Sequence, residues 1–205
     1  YYLMQDFTKA LQSFQKALLI DEEREDKAGI SKMLNNIGLV YEQQEKYDEA
    51  LFNYKRSLFI KQEIGDKLGV ANSLGNVGNT YYHKRDYGNT LYYWQLSIQM
   101  FKELNNTTGI ISMLSNIGRL YADQKKYEKA TAYTDSSLSL AYEIGSKQHI
   151  SNTCSQLADI YFSTKNFEKA YRYQKEFTAM KDSLLNEEKT KHINELSTIY
   201  ETEKK

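Results

Sequence analysis

The sequence has no proline, one cysteine, no net charge and no long apolar run. A single cysteine, Cys154, excludes an internal disulfide and a zinc site built from several thiolates. The 27 lysine and arginine residues balance 27 aspartate and glutamate residues, which excludes the strongly basic surface typical of proteins that bind nucleic acid or anionic membranes. No run reaches the roughly 20 apolar residues that a membrane-spanning helix needs. We therefore expect neither nucleic acid nor a membrane among the partners of this region.

Catalytic and metal-binding motifs are also missing from the sequence. It contains no His-Glu-x-x-His pair, and no glycine-rich loop precedes a helix in the way that phosphate binding requires. The three histidines lie far apart in the chain, at His83, His149 and His192. We therefore expect no catalytic residue, no bound metal, no cofactor and no enzyme activity.

What the sequence does contain is a repeat of 40 residues. The stretch LNNIGLVY, which begins at Leu34, returns as LGNVGNTY at Leu74, as LSNIGRLY at Leu114 and more weakly as CSQLADIY at Cys154. Because Cys154 takes the place of a leucine, we expect it to be a buried hydrophobic residue. Within each repeat the apolar and small residues lie three and four positions apart, which is the spacing of one helical face. Each repeat is therefore predicted to form two amphipathic helices.

Two columns of small residues recur in these repeats. The first column lies in the first helix of each repeat, at Gly38, Gly78, Gly118 and Ala158. The second column lies in the second helix, at Ala50, Thr90, Ala130 and Ala170. We expect the first column to let the two helices of a hairpin approach closely, and the second column to receive that contact.

Glycine and asparagine are predicted to end the helices in place of proline. Residues suited to the left-handed conformation after a helix occur at Gly65, Asn105 and Gly145. Residues able to cap the next helix follow them, at Asp66, Thr107 and Ser146. These signals predict ten helices: half a hairpin from about Gln5, hairpins beginning near Lys27, Lys67, Thr107 and Lys147, and a last helix from about Glu187. We expect a repeat array over residues 1–185 and a C-terminal capping or linker helix over residues 186–205.

The repeat resembles the tetratricopeptide repeat, in which an apolar-Gly-x-x-Tyr motif is followed by a small residue and then by an aromatic residue. The matching positions in the first full repeat are Ile37, Gly38, Tyr41, Ala50 and Tyr54. The second repeat matches at Val77, Gly78, Tyr81, Thr90 and Trp94. The length of the repeat is nearer to the long repeats of kinesin light chains and bacterial peptide-pheromone receptors. This resemblance implies an all-α fold, a right-handed α-solenoid (superhelix) of helical hairpins whose first helices line a concave groove.

A column of side-chain amides is the first candidate binding site. It comprises Asn36, Asn76, Asn116 and Gln156. An amide both donates and accepts hydrogen bonds, so such a column can pair with the backbone of an extended peptide in the groove. The alternative is that the amides bind the neighbouring helix and hold the hairpins in register, and the two roles are compatible. The resemblance favours ligand contact, because peptide-binding repeats of this kind carry an asparagine at the matching place.

Specificity for a peptide or protein ligand is expected from residues farther along the same helices. These residues differ between repeats, as recognition residues and ordinary solvated residues both do: Gln43, Asn79, His83, Arg119, Asp123 and Asp159. Arg119 and His83 favour an anionic group, whereas the two aspartates favour a cationic group. We expect the groove to be electrically polarised along its length and thereby to orient a peptide.

The C-terminal residues break the phase of the repeat. Ile193, Leu196 and Tyr200 have heptad-like spacing in a highly charged segment, which indicates either a capping helix or the start of a coiled coil through which two chains dimerise. The ending LLNEEKTKHINELSTIYETEKK resembles the junction in bacterial tetratricopeptide sensor proteins. In those proteins periplasmic repeats are followed by a helical linker, a membrane span and a cytoplasmic histidine kinase or helix-turn-helix regulator.

These observations predict a non-catalytic module that binds a protein or peptide in its concave groove. The resemblance implies that it is the ligand-sensing region of a bacterial signalling protein, and the alternative is a plain scaffold or adaptor for complex assembly. The compartment is the periplasm if the sensor interpretation holds and the cytoplasm otherwise. Because Tyr1 lies in the middle of a repeat, 40 residues before Tyr41, we expect the chain to be a piece of a longer protein.

Overall fold

The computed structural model describes the backbone of residues 2–203 and the side chains of residues 6–191, 193–200 and 202. This part of the chain contains nine α-helices and no β-strand. The helices are α1 (Tyr2–Glu23), α2 (Lys27–Gln43), α3 (Tyr47–Glu63), α4 (Lys67–His83), α5 (Tyr87–Glu103), α6 (Thr107–Asp123), α7 (Tyr127–Glu143), α8 (Lys147–Ser163) and α9 (Phe167–Glu203). From α2 to α8 each helix has 17 residues. The predicted hairpin starts at Lys27, Lys67, Thr107 and Lys147 are confirmed.

Left-handed residues close the helices, as the sequence predicted. Gly65, Asn105 and Gly145 have φ values of 73°, 51° and 64°. Inside the hairpins the same position holds residues other than glycine, for example Glu45 with φ 59°. There the amide of Glu45 donates to the Glu42 carbonyl, and that of Lys46 donates to the Tyr41 carbonyl, both at 2.9 Å. This pair of bonds satisfies carbonyl groups that the helix end leaves without an intrahelical partner.

The predicted caps are correct at one of three positions. Asp66 accepts from the amide of Gly69 at 2.8 Å and caps α4. At the start of α6 the capping side chain is Asn106, which accepts from the Gly109 amide at 2.8 Å, and not Thr107. Thr107 is already the first helical residue, so its hydroxyl cannot reach the amides that a cap satisfies. Ser146 makes no capping bond, because its hydroxyl is paired with His149 Nδ1 at 2.8 Å.

The chain divides into two compact units, residues 1–113 and residues 114–205. In the first unit, helices α1 to α4 each pack against the next helix in the chain. In the second unit, α7 packs on α8 and α8 packs on α9. Packing of each helix on its sequence neighbours is the pattern of a solenoid made of helical hairpins. The predicted all-α solenoid class is therefore confirmed.

The first small-residue column marks the closest approach within each hairpin. A Cβ atom on Gly38 would lie 2.8 Å from the Tyr54 ring, and one on Gly78 would lie 2.4 Å from Trp94. The side chain that contacts the glycine is therefore not in the expected Ala50 column. It lies one turn later on the second helix, at Tyr54 or Trp94, and its ring lies across the glycine. The Ala50 column is buried in its own right. In the second unit, Gly118 meets both Thr134, at 2.3 Å from a built Cβ, and the Ala130 carbonyl, at 3.3 Å.

The C-terminal helix differs from the prediction. We expected a separate helix from about Glu187, but α9 runs without a break for 37 residues. None of the described residues between Phe167 and Glu203 has a positive φ, so nothing ends the helix there. Asn186 stays helical, and its carbonyl accepts from Thr190 Oγ1 at 2.8 Å. At the other end of the chain, α1 begins at Tyr2 and not near Gln5.

None of the helices in the described part of the chain combines the length and the apolar character needed to cross a membrane.

Candidate functional site

In the first unit, one amide of the column, that of Asn76, connects the first helices of consecutive hairpins. Asn36 on α2 and Asn76 on α4 are both half-buried. Asn76 Nδ2 donates to the side-chain oxygen of Asn35 on α2 at 3.1 Å. This bond uses one of the two N–H donors of the Asn76 amide, and the group has a second donor and an acceptor oxygen. The bond to a neighbouring helix, one of the two alternatives for this column, is therefore present at Asn76. The same amide has a further donor and an acceptor with which it could also bind a ligand.

In the second unit, the amides have comparable contacts. Gln156 on α8 donates through Nε2 to the Ser115 carbonyl on α6 at 2.9 Å. Asn116 on α6 accepts from Nη2 of Arg119 at 2.7 Å. This bond fixes an exposed guanidinium group one turn along the same helix. The amides of this unit thus join two first helices and hold a cation in place.

The expected specificity residues divide into held and solvent-facing side chains. Asn79 accepts from the indole N–H of buried Trp94 at 2.9 Å, so its carbonyl serves the inside of the hairpin. His83 is exposed at the end of α4, and its ring stacks on Tyr47 with centroids 5.8 Å apart and an interplanar angle of 4°. The remaining predicted specificity residues are exposed on α2, α6 and α8: Gln43, Asp123 and Asp159.

Charges of both signs occur within the second unit. Arg119 and Asp123 are four residues apart on α6, which places them on the same side of that helix. Asp159 lies on α8. A ligand that contacts α6 therefore meets a cation one turn away from an anion.

A series of tyrosine pairs is a surface feature that the sequence interpretation missed. In each case a tyrosine from a first helix stacks on one from the following second helix, with centroids 5.5–5.7 Å apart, and a lysine ammonium group lies 4.9–5.5 Å from the first ring. The groups are Tyr81 with Tyr93 and Lys55, Tyr121 with Tyr133 and Lys129, and Tyr161 with Tyr173 and Lys169. The sequence does contain a pattern from which these pairs could have been predicted, because a tyrosine recurs every 40 residues at Tyr93, Tyr133 and Tyr173. Stacking joins the two helices of each hairpin, and the cation–π contacts of Lys129 and Lys169 do the same, whereas Lys55 on α3 contacts α4 from the preceding hairpin.

A carboxylate links three helices in the first unit. Glu42 on α2 accepts from the Tyr54 hydroxyl on α3 at 2.9 Å and from Thr80 Oγ1 on α4 at 3.1 Å. Burial, reinforced by the charge of Glu42, raises the pKa of Tyr54 above its ordinary value. The network therefore keeps Tyr54 protonated and fixes α4 against the hairpin formed by α2 and α3. This network could not be expected from the repeat, because the other repeats have Tyr82, Ala122 and Phe162 in the place of Glu42.

Cys154 is fully buried, as predicted. Burial raises the pKa of its thiol to about 11. The thiol is therefore protonated near neutral pH and behaves as a small hydrophobic group.

Models of the tetratricopeptide repeat match most of the sequence. One model matches residues 1–63 and 29–103, and another matches residues 111–143 and 151–183. The chain belongs to the tetratricopeptide repeat family. In the terms of this family, the amide column lies on the first helices of the hairpins, α2, α4, α6 and α8. No curated protein matches the chain.

Solved tetratricopeptide structures share this fold. BtubC from P. vanneervenii is 20% identical, with a TM-score of 0.75, and the match covers 87% of this chain and 74% of BtubC. A STAND protein with a tetratricopeptide repeat sensor from Pyrococcus horikoshii is 24% identical with a TM-score of 0.75, but the match covers 28% of that protein and 89% of this chain. The Rap conjugation gene regulator of plasmid pLS20, in complex with the Phr peptide, is 14% identical with a TM-score of 0.72, over 89% of this chain and 51% of the regulator. At these identities the likeness establishes the fold alone.

Proposed function

We propose that this chain is a non-catalytic module that binds a peptide or a protein segment along its first helices. The observation that carries the proposal is the set of half-buried amides that bridge consecutive first helices, Asn76 to α2 and Gln156 to α6. Such amides are fixed in position and keep donors and acceptors for the backbone of an extended ligand. The Rap regulator, which has the same fold and was solved with the Phr peptide, supports this proposal by analogy.

Side chains that are already held in place strengthen the case for binding. The guanidinium group of Arg119 is fixed by Asn116, and the His83 ring is fixed by stacking on Tyr47. Groups ordered before binding lose less conformational entropy when a ligand arrives. We propose that these side chains recognise the charge of the ligand together with Asp123 and Asp159, and that the neutral amide of Gln43 contributes hydrogen bonds. Asn79 acts indirectly through Trp94.

The proposal is tested with peptides selected by the protein from a library of random linear peptides. The affinity of a selected peptide is measured by calorimetry for the wild type and for Asn76→Ala. Asn35→Ala is the matched control, because it removes the same Asn76–Asn35 bond but leaves the Asn76 amide in place. Asn76→Ala loses its hydrogen bond to the backbone of the peptide, so we expect it to bind the peptide roughly tenfold more weakly. Asn35→Ala should have only a small effect on affinity.

The two variants should be destabilised equally, because both lose one hydrogen bond of about 0.5–1.5 kcal/mol. Equal affinities for the two variants would assign the amide to hairpin register alone. Failure to select any peptide would leave the proposal without a ligand and refute it.

We further propose that the module is the sensing region of a bacterial signalling protein. The STAND protein, whose tetratricopeptide repeats form a sensor, supports the sensing role by analogy. It predicts that the coding sequence beyond Lys205 continues into a membrane span and an output domain, either a histidine kinase or a DNA-binding regulator. A stop codon directly after Lys205 would favour the scaffold.

A further inference from the structure

Glu42 is a half-buried carboxylate that forms no ion pair with any residue in the described part of the chain. Its two oxygen atoms accept hydrogen bonds from the hydroxyl groups of Tyr54 and Thr80, at 2.9 and 3.1 Å. Both donors are neutral, so they fix the position of the carboxylate and leave its negative charge without a counter-charge. A charge that is partly removed from water in this way costs stability. The position of Glu42 is therefore typical of a group that meets its counter-charge in a ligand.

The fold does not require a negative charge at this place. In the second hairpin the residue that corresponds to Tyr54 is Trp94, and its indole N–H donates to the neutral amide oxygen of Asn79 at 2.9 Å. A neutral acceptor is thus sufficient for the donor at this position. The residue that corresponds to Glu42 in that hairpin is Tyr82. The carboxylate is therefore a feature of the first hairpin and not of the repeat.

Glu42 lies in the same seam between α2 and α4 as the amide bridge of the first unit. On α2, Glu42 is seven residues after Asn35, which places both residues on one side of the helix. On α4, Thr80 is four residues after Asn76 and donates through Oγ1 to the Asn76 carbonyl at 2.9 Å. The Asn76–Asn35 bond and the Thr80–Glu42 bond are therefore two bridges across one seam. They are separated by about 6–10 Å along the helices.

We propose that Glu42 binds a cationic side chain, lysine or arginine, of the peptide that lies along the first helices. This inference rests on the proposed function, because it assumes that Asn76 contacts the backbone of that peptide. An extended chain rises about 3.3 Å per residue, so the cation should lie two or three residues from the peptide group at Asn76.

The geometry of Glu42 suits this role. The carboxylate is held by two hydroxyl groups before the peptide arrives, so it loses little conformational entropy on binding. Each of its oxygen atoms has accepted one hydrogen bond from the chain and has a lone pair left for a further donor. A hydrogen bond from an ammonium or guanidinium group to a carboxylate is stronger than one between neutral groups. Glu42 thus adds selection for charge to the backbone contact of Asn76.

The test uses peptides that the 205-residue chain selects from a library of random linear peptides. Peptides selected by the wild type should share a lysine or an arginine at one position, and peptides selected by Glu42→Gln should not. Glutamine has nearly the shape of glutamate and keeps an acceptor oxygen, so the seam should persist, and circular dichroism checks that the variant is folded. If it is not, Glu42→Ala combined with Tyr54→Phe removes the carboxylate and its buried donor together.

A double-mutant cycle then measures the contact itself. One selected peptide is made with its shared cation and with norleucine in its place, and both affinities are measured by calorimetry. Norleucine should weaken binding to the wild type about tenfold, because a charge-assisted hydrogen bond is lost. It should have little effect on binding to Glu42→Gln. Glu45→Gln is the matched control, since it removes the same charge from an exposed position three residues later and should leave the effect of norleucine unchanged.

The outcomes distinguish this inference from the proposed function. If the library yields no peptide, the proposed function fails and this inference fails with it. If the selected peptides depend on Asn76 but share no cation, only this inference is overturned. The same holds if norleucine weakens binding to the wild type and to Glu42→Gln equally, because the cation is then recognised elsewhere and Glu42 only joins helices.

Discussion

Replacing Gly78 by alanine tests the close approach between α4 and α5. A methyl group on Gly78 would lie 2.4 Å from Cδ1 and 2.7 Å from Nε1 of Trp94. The indole ring has to move by about 1 Å to restore an ordinary contact of 3.4 Å. Trp94 is 1% exposed, and its N–H donates to Asn79 at 2.9 Å. The movement therefore disturbs both the packing and the hydrogen bond of the indole.

The magnitude follows from three contributions. Overpacking a buried site costs about 1–3 kcal/mol, and the weakened hydrogen bond adds about 0.5–1.5 kcal/mol. Alanine regains about 1 kcal/mol because glycine is a poor helix residue. We expect Gly78→Ala to lower the free energy of unfolding by about 2 kcal/mol, which lowers Tm by roughly 4–8 °C in a chain of this size.

Gly75, one turn earlier on α4, provides the matched control. A methyl group there would lie 3.5 Å from the terminal carbon of Met113, an ordinary contact, so Gly75→Ala should keep or raise Tm. Tm is measured by calorimetry, and fluorescence reports on this site alone because Trp94 is the only tryptophan. Its emission should shift in Gly78→Ala and not in Gly75→Ala. Equal Tm values for the two variants, or unchanged emission in Gly78→Ala, would refute the assigned contact.

Two further predictions concern buried titratable groups. Because Cys154 is buried and the pKa of its thiol is raised to about 11, a thiol reagent at pH 8 should modify it only after unfolding; rapid labelling of the native protein would contradict this placement. Burial raises the pKa of Tyr54, so the folded state keeps a proton that the unfolded state loses above its ordinary pKa of about 10. Stability should therefore fall as pH rises above about 10, and denaturant titrations should show a smaller fall for Tyr54→Phe than for the wild type; parallel declines would exclude Tyr54 as the cause.

The positions of the helices could be predicted because the repeat presents the same signals several times. The hairpin starts at Lys27, Lys67, Thr107 and Lys147 all coincide with the starts of helices. The prediction failed where the repeat ended. Loss of phase after the last hairpin suggested a helix break, but phase reports only which face is buried. An exposed helix such as the end of α9 can continue without it.

The partners of the candidate site could not be predicted, because a column gives a position on a helix and not the direction of a side chain. Asn76 and Gln156 each reach a residue 41 positions earlier in the chain. Asn79 lies on the same helix as Asn76, yet its carbonyl is bonded to Trp94 within the hairpin. Rotamers and the packing of neighbouring helices decide these contacts, and neither has a period in the sequence.

The equal lengths of the helices affect how such a chain can change in evolution. From α2 to α8 every helix has 17 residues and every intervening turn has three. A segment of 40 residues can therefore be gained or lost without changing any turn. A single residue inserted within a helix would instead rotate all the following residues by about 100° around the axis and turn their apolar side away from the core. Viable changes in length thus come in whole hairpins, which makes the hairpin the unit of recombination.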